Sequence, residues 1–400
     1  MDSRAVSDAL GVAVEFSSAE GVFASCRTNV LRIITSSGLL EAIGKHNSRH
    51  TSYPYLVVCD NLEQLDASYE LSISLLRHMT QNHPTRYIGL SSSLNDSTDL
   101  ASWIGADTSA LYSFRPADRD QSLIIEYQTF TIPHSAALFR SMSKPAYAAL
   151  QRVQFNESAL IFVPSRSHCR TVARELITLC TLDTESERGF LPQSVSLHLE
   201  DYSVRLQDPT LVDFVTHGVG IFHSGLSKAD RNLVLELFAE GVVRVLLAPC
   251  DACWTLPVRA AVVVVMGTQY THLERDGSGS QLRDYSFIDI VRMQSRAVRH
   301  GLPGHFFLFC QAEARDTFAK FLTDGLPLES ELLESSVFEN WYKERRRDGT
   351  IRNKEDAVQA LSFTFLARRL VSNPMYYDGE AGSRNEVLSR IVDRLEENLL

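Results

Sequence analysis

The chain has 400 residues, 44% of them hydrophobic and 22% charged, with 39 basic against 49 acidic side chains and a net charge of −10. That length exceeds one compact core and predicts two or three domains. The acidic balance excludes a general affinity for nucleic acid or anionic membrane, so any RNA contact needs a local basic patch.

Seven cysteines (Cys26, Cys59, Cys169, Cys180, Cys250, Cys253, Cys310) are odd in number and scattered, and they read as reduced core thiols. Cys250-Asp251-Ala252-Cys253 is a lone CxxC without the second pair that a four-ligand zinc site needs, so no metal is expected. The Met1–Arg4 start lacks an apolar signal, and the longest apolar run, Ala260–Met266, is far short of the ~20 residues that span a bilayer. The expectation is a soluble protein with no membrane partner.

Residues 1–28 carry weak pattern and are expected to be irregular. Val30–Ile34 reads as a strand, and Thr35-Ser36-Ser37 caps a helix through Ile43. Leu56–Cys59 is the next strand. A helix from about Ser68 to Met79 carries Leu71, Leu75, Leu76 and Met79 at helical spacing. Tyr87–Leu90 reads as a strand and Leu94–Ile104 as a helix. This alternation predicts a parallel sheet with helices on both faces over residues 29–134.

A second alternating unit is expected over 135–325, opening with a helix at Ala136–Leu150. Its strands are Ala159–Val163, Val219–Phe222, Val242–Leu247, Ala261–Val265 and His305–Cys310, and a helix follows Pro164-Ser165-Arg166 to about Leu179. Ser227 and Asp230 form an S-x-x-D capping box, Leu233, Val234, Leu237 and Phe238 the buried stripe, and Gly241 the stop. Over 326–400 the pattern turns helical and more charged. Lys343–Asp348 reads as a solvated charge run, and Asn353 and Asp356 cap a helix containing Val358, Leu361, Phe365 and Leu366. A final stripe of Val387, Leu388, Ile391, Val392 and Leu395 needs a cover.

The chemistry-bearing residues fall at strand tips. Asp60-Asn61-Leu62-Glu63 follows one apolar run and Ser91-Ser92-Ser93 the next, the layout of an NTP-driven motor. Such a motor needs an aspartate to hold the Mg²⁺ complex and a neighbouring glutamate to orient the attacking water. Asn61 is a neutral amide and cannot take that proton. Phe162–Arg166, His223-Ser224-Gly225-Leu226, Ala248–Trp254 and Gln294–Arg299 follow in order.

In order and spacing these blocks resemble those of the Ski-two-like superfamily-two RNA helicases. Ser143–Tyr147, Gly267–Tyr270, Leu326–Ser330 and Asn373–Tyr377 narrow the resemblance to the two-cassette branch, which includes a large spliceosomal helicase, and within it to the inactive C-terminal cassette. The resemblance covers roughly residues 25–380. It implies an α/β protein: two RecA-like parallel-sheet domains, the first incomplete, then a winged-helix-like segment and the start of a helical module at 326–400. It further implies a nuclear interaction or regulatory platform in pre-mRNA splicing, with protein partners in a large ribonucleoprotein complex and weak RNA contact.

Four departures shape the functional expectation. No P-loop is present: Gly38 to Gly44-Lys45-His46 has the wrong spacing, and the residues before Asp60 are too few for a complete first motor domain, so the chain reads as N-terminally truncated. Asn61 replaces the hydrolytic acid, and Glu63 stands where the family carries His. Thr255 and Pro257 replace Gly and Asn, and Arg292 replaces Gln with Ser295 and Val298 in place of Gly. ATP and Mg²⁺ serve active family members; here no cofactor is expected, and Asp60, Asn61, Glu63, Arg296 and Arg299 are expected to be vestigial.

Arg166, His223, Ser224, Gly225 and Arg292 are the RNA-contact candidates, with a capped turn as the bland reading of His223–Gly225. Arg292, Arg296 and Arg299 fall at i, i+4, i+7 on one expected helix face, open to salt-bridged, RNA-phosphate or ATP roles. Two alternatives remain: a fragment of an active ATP-dependent RNA helicase, and a passive RNA-binding module.

Overall fold

The computed structural model describes residues 3–24, 29–45, 52–119, 122–133, 136–153, 157–192, 202, 204–273, 280–377 and 383–397. The chain divides into two compact units, Met1–Arg115 with Gly325–Leu400, and Pro116–Asp324. The boundary expected at residue 134 therefore lies nearer 115, and the C-terminal segment shares a unit with the N-terminal one.

In the first unit a helix spans Ser3–Leu10, and β1 (Ala13–Phe16) pairs in parallel with β2 (Val30–Ile33). The start is thus not irregular as expected. Three of the four β1 residues are exposed, so its sequence carries no core-facing alternation. Thr35 caps the helix Ser36–Gly44 by accepting from Gly38 N–H. β3 (Leu56–Cys59) and β4 (Arg86–Gly89) pair in parallel, joined through the helix Ala67–Met79, whose cap Asp66 accepts from Tyr69 N–H at 2.7 Å.

The next helix, Thr98–Ile104, starts later than its apolar pattern suggests because Leu94 is used otherwise. Leu94 bridges Leu326, with Asn95 N–H donating to Leu326 C=O and Leu326 N–H to Ser93 C=O. Gly325 permits this closeness. Its φ is +101°, and a Cβ there would lie 2.7 Å from the Leu94 carbonyl carbon.

Four further helices, Ser336–Arg347, Lys354–Ser362, Leu366–Ser372 and Arg384–Glu397, complete the unit. Leu388, Ile391, Val392 and Leu395 bury against Phe338, Tyr342, Leu361 and Leu366, and Ala67 and Leu71 join the same core, so the terminal stripe is covered from within. The helix expected to run through Leu366 breaks after Ser362, and Thr364 Oγ1 accepts from Ala367 N–H to start the next. The charged run Lys343–Arg347 is the last turn of a helix, and Arg345 pairs with Asp348 at 2.9 Å.

Two buried polar contacts bind the halves of this unit. Arg369 donates to both carboxylate oxygens of Glu329 and to Asp99 Oδ2 at 2.7 Å, while Glu329 also accepts from Asn373 Nδ2 and the Tyr377 hydroxyl. The resemblance blocks Leu326–Ser330 and Asn373–Tyr377 therefore meet in space. Burial opposes the Glu329 charge, but the bonds from Arg369, Asn373 and Tyr377 prevail and hold its carboxyl below the usual range.

Glu70 is fully buried, accepting from the Ser330 hydroxyl at 2.6 Å and from Leu366 N–H at 2.8 Å.

The second unit is built on a six-stranded, all-parallel sheet ordered β5-β12-β9-β6-β8-β7. The strands are β5 (Leu123–Phe130), β6 (Ala159–Val163), β7 (Val219–Ile221), β8 (Val245–Pro249), β9 (Val262–Met266) and, after a hairpin of β10 (Gln269–Leu273) and β11 (Ser280–Asp284), β12 (Gly304–Gln311). Every residue of β9 is fully buried, as a central parallel strand under two helical layers requires, and each such valine contributes roughly 1.5–3 kcal/mol.

β5, β10 and β11 escaped the sequence reading. β5 is a half-exposed edge strand and β11 is wholly exposed, so neither shows a continuous apolar run. The capping box behaves as expected: Ser227 Oγ accepts from Asp230 N–H at 3.0 Å, and Gly241 closes the helix Lys228–Ala239 at φ +78°.

Burial pushes the Glu70 carboxyl up from 4.5 to about 7, against the bonds from Ser330 and Leu366. A carboxyl with a raised folded pKa favours folding fully below its unfolded value and loses that contribution as pH rises through the folded one. The first unit should therefore lose up to about 3 kcal/mol of stability between pH 4.5 and 8 through this group. Urea unfolding at the two pH values checks it: Glu70→Gln should flatten the difference, and an unchanged difference would contradict the assignment.

Candidate nucleotide and nucleic-acid sites

In the first unit the acidic tetrad forms a tight turn after β3. Asn61 sits in the left-handed region at φ 53°, ψ 50°, a conformation that asparagine tolerates better than most residues. Asp60 Oδ1 accepts from Asn61 N–H at 3.0 Å and Oδ2 from Asn61 Nδ2 at 3.4 Å, so the amide folds back on the aspartate. The Tyr69 hydroxyl donates to Asp60 C=O at 2.9 Å.

Glu63 follows in a single 3₁₀ turn, Leu62–Gln64, and is only 4% exposed. Its Oε2 accepts from Ser92 N–H at 3.0 Å and its Oε1 from Ser92 Oγ at 2.9 Å. The tetrad and the serine triplet thus meet through Glu63, not through Asp60 or Asn61. Both carboxylate oxygens are engaged with the protein, and neighbouring Ser93 donates to Phe114 C=O at 2.6 Å.

These residues do not fit the Mg²⁺–nucleotide arrangement of an active motor. The amide at position 61 cannot act as a base, and the nearest glutamate is held by Ser92. Among the described residues no group of three or more His, Cys, Asp or Glu could hold a metal ion.

In the second unit three neighbouring strands, β6, β8 and β7, bring their carboxyl ends together, the edge where open α/β sheets bind ligands. Arg166, just past β6, donates to the Ser224 hydroxyl just past β7. Gly225 N–H donates to His223 Nδ1 at 3.1 Å, and a Cβ on Gly225 would lie 3.1 Å from both that nitrogen and Arg166 Nη1. Glycine is what lets Arg166 lie across the turn.

His223 is buried, and burial, then Arg166 and Arg170, push its pKa down. An Nδ1 that accepts a backbone hydrogen bond leaves the ring neutral with its proton on Nε2. Arg170 pairs with Asp208, which caps the helix Pro209–Val215. The helix Arg166–Thr184 opens at this edge, so its amino-terminal N–H groups and Arg166 offer one small positive spot on an acidic protein. Of the RNA-contact candidates, the structure brings Arg166, His223, Ser224 and Gly225 together.

Arg292, Arg296 and Arg299 do not share a helix face. The helix Phe287–Gln294 ends between them, and Ser295–Ala297 tightens into a 3₁₀ turn. Arg292 lies over the Trp254 ring at 4.2 Å, while Trp254 Nε1 donates to Asp289 Oδ1 at 2.8 Å. Arg296 donates to Cys253 C=O at 2.9 Å, and burial, then Arg292, lower its pKa. Arg299 pairs with Glu157 at 3.1 Å, just before β6 begins, the opposite end of that strand from Arg166.

The salt-bridged reading therefore describes Arg299, and Arg292 and Arg296 are engaged by Trp254 and Cys253. Cys250 and Cys253 are pushed up to about 11 and about 12 by burial, which keeps the CxxC thiols protonated and unreactive.

Sequence reasoning missed Asp289, Arg170, Asp208 and the Arg369 network. Asp289 carried a signal: Ser286 and Asp289 form an S-x-x-D box like that of Ser227, with Ser286 Oγ accepting from Asp289 N–H.

Fold and sites together define a helicase-like α/β protein ending in a winged helix. Residues 343–400 match a family described as Winged Helix-turn-helix domain. Two structures of the Escherichia coli helicase HrpB, one titled as a DEAH/RHA helicase and one as a DExH-box NTPase, align with TM-scores of 0.55 and 0.55. They are 14% and 15% identical, over 97% and 87% of this chain and 42% and 38% of theirs, which shows a shared fold.

In sequence the chain is a relative of the DExH-box RNA helicases, including the 200 kDa helicase of the U5 small nuclear ribonucleoprotein. It is 33% identical to the human U5 protein over 334 residues, 82% of this chain and 15% of that protein. It is 33% identical to the DExH-box ATP-dependent RNA helicase DExH12 of Arabidopsis thaliana over 353 residues, 86% of this chain and 16% of that protein. The chain thus spans about a sixth of the length of these relatives.

The geometry separates the two acidic residues by role. Glu63→Ala should destabilise the first unit by about 1.5–3 kcal/mol, because it leaves the Ser92 N–H without its charged acceptor. Asp60→Ala, at an exposed position, should cost well under 1 kcal/mol. Denaturant midpoints of the two variants read this out, and equal midpoints would contradict it.

Proposed function

We propose that this chain is a helicase-like cassette without ATP hydrolysis of its own. It acts as a protein-interaction and regulatory platform of the pre-mRNA splicing machinery, in the nucleus. The observation that carries the reading is the turn Asp60–Glu63. Asn61 stands where the water-orienting acid is needed, and the one nearby glutamate is locked by two hydrogen bonds to Ser92. Arg296 and Arg299, the residues that stabilise phosphoryl-transfer charge in relatives by resemblance, are engaged by Cys253 and Glu157.

Kinship with a 200 kDa helicase of a small nuclear ribonucleoprotein supports the splicing context and a large ribonucleoprotein complex as the setting. The net charge of −10 favours protein partners over bulk RNA binding. A weak contact with an RNA backbone accompanies this role, supported by Arg166 beside the Ser224 turn and the helix amino terminus.

Calorimetric titration of the chain with Mg²⁺–ATP tests the proposal. A flat titration into the millimolar range is expected. Saturable binding at micromolar concentration would instead favour the fragment of an active helicase.

A further inference from the structure

The β3–β4 pair has one covered and one bare face. Strand alternation turns Val57, Cys59, Tyr87 and Gly89 one way. On that side Cys59 is buried, the Tyr87 hydroxyl shares a hydrogen bond with Thr80 Oγ1 at 2.7 Å, and a Cβ on Gly89 would come within 2.8 Å of Ile104 Cδ1. The helices Ala67–Met79 and Thr98–Ile104 therefore cover it.

Leu56, Val58, Ile88 and Leu90 turn the other way. Leu56, Val58 and Leu90 are 50%, 49% and 49% exposed, and adjacent Tyr55 is 82% exposed. Parallel strands are ordinarily buried on both faces, because the natural cover of such a face is a helix running antiparallel to the strands.

The charges on this face match that cover. The same alternation places Asp60 at the carboxyl end of β3 and Arg86 at the amino end of β4, and both are exposed. A helix antiparallel to the strands would set its positive amino end by Asp60 and its negative carboxyl end by Arg86. The reverse orientation would set like charges together at both ends. Four strand residues span about 13 Å, the length of roughly nine helical residues.

We infer that the Leu56–Val58–Ile88–Leu90 face docks an amphipathic helix of a partner protein, laid antiparallel to β3 and β4 with its amino end at Asp60 and its carboxyl end at Arg86. This rests on the platform reading and names the kind of partner that platform takes.

The probe is a labelled, stapled helical peptide of about ten residues with a leucine stripe, lysine in its first turn and glutamate in its last. Fluorescence anisotropy with the full chain should show saturable binding. Val58→Lys and Leu56→Lys, both at exposed positions, should each weaken it about tenfold or more with unchanged circular dichroism. The unaltered chain should bind this peptide more tightly than one with lysine and glutamate exchanged, and Arg86→Glu, which makes both ends of the face acidic, should erase that preference.

Equal affinity of the unaltered chain for both peptides, or no effect of either lysine variant, overturns the proposal. So does a dimer in sedimentation that Val58→Lys dissolves, because the face would then belong to a second copy. If the peptide fails while the Mg²⁺–ATP titration stays flat, the docking surface falls and the platform reading stands. Saturable ATP binding beside intact peptide binding has the opposite meaning.

Discussion

The two hydrogen bonds from Ser92 to Glu63 decide what the acidic turn can do. A carboxylate with both oxygens engaged, in a side chain almost wholly buried, is a structural acceptor. To orient a water molecule it would have to leave Ser92, and a part-buried N–H stripped of a charged acceptor carries a penalty of about 1.5–3 kcal/mol at most. Asn61 offers no substitute, since its amide is already folded onto Asp60. The acidic and serine motifs are joined here through Glu63 and Ser92.

That support extends through the first unit. Ser93 and Asn95, one and three residues beyond Ser92, exchange backbone hydrogen bonds with Leu326. From Leu326 the chain reaches Glu329, and through Glu329 the Arg369 guanidinium and Tyr377. Glu70 makes a parallel connection from the helix Ala67–Met79 to Ser330 and Leu366. A short parallel pair could not stand alone; it persists because the winged-helix segment shares its core through Ala67 and Leu71. The fold therefore has reasons to hold that do not depend on nucleotide chemistry.

The sequence was most informative where a local rule and a buried run agreed. β6 and β9 are continuous buried apolar runs, and the helix Lys228–Ala239 carries an apolar stripe behind a capping box, so length and pattern sufficed. β1, β5 and β11 were invisible because edge and hairpin strands face solvent and owe their pairing to backbone bonds. The positions of Arg166 and of His223–Gly225 just past strand ends were legible, but their meeting was not. The arginine face was not: i, i+4, i+7 spacing assumes a continuous helix, and Ser295 ends it by donating to Arg292 C=O. Long-range partners such as Asp99 for Arg369 leave no mark in local pattern.

The central claim is that an engine with an amide at position 61 and a captive glutamate at 63 does not turn over. Steady-state phosphate release by the full chain, measured with and without single-stranded RNA, tests it most directly. A rate indistinguishable from buffer under both conditions is the expected result. ATP cleavage that rises when RNA is added would contradict the account.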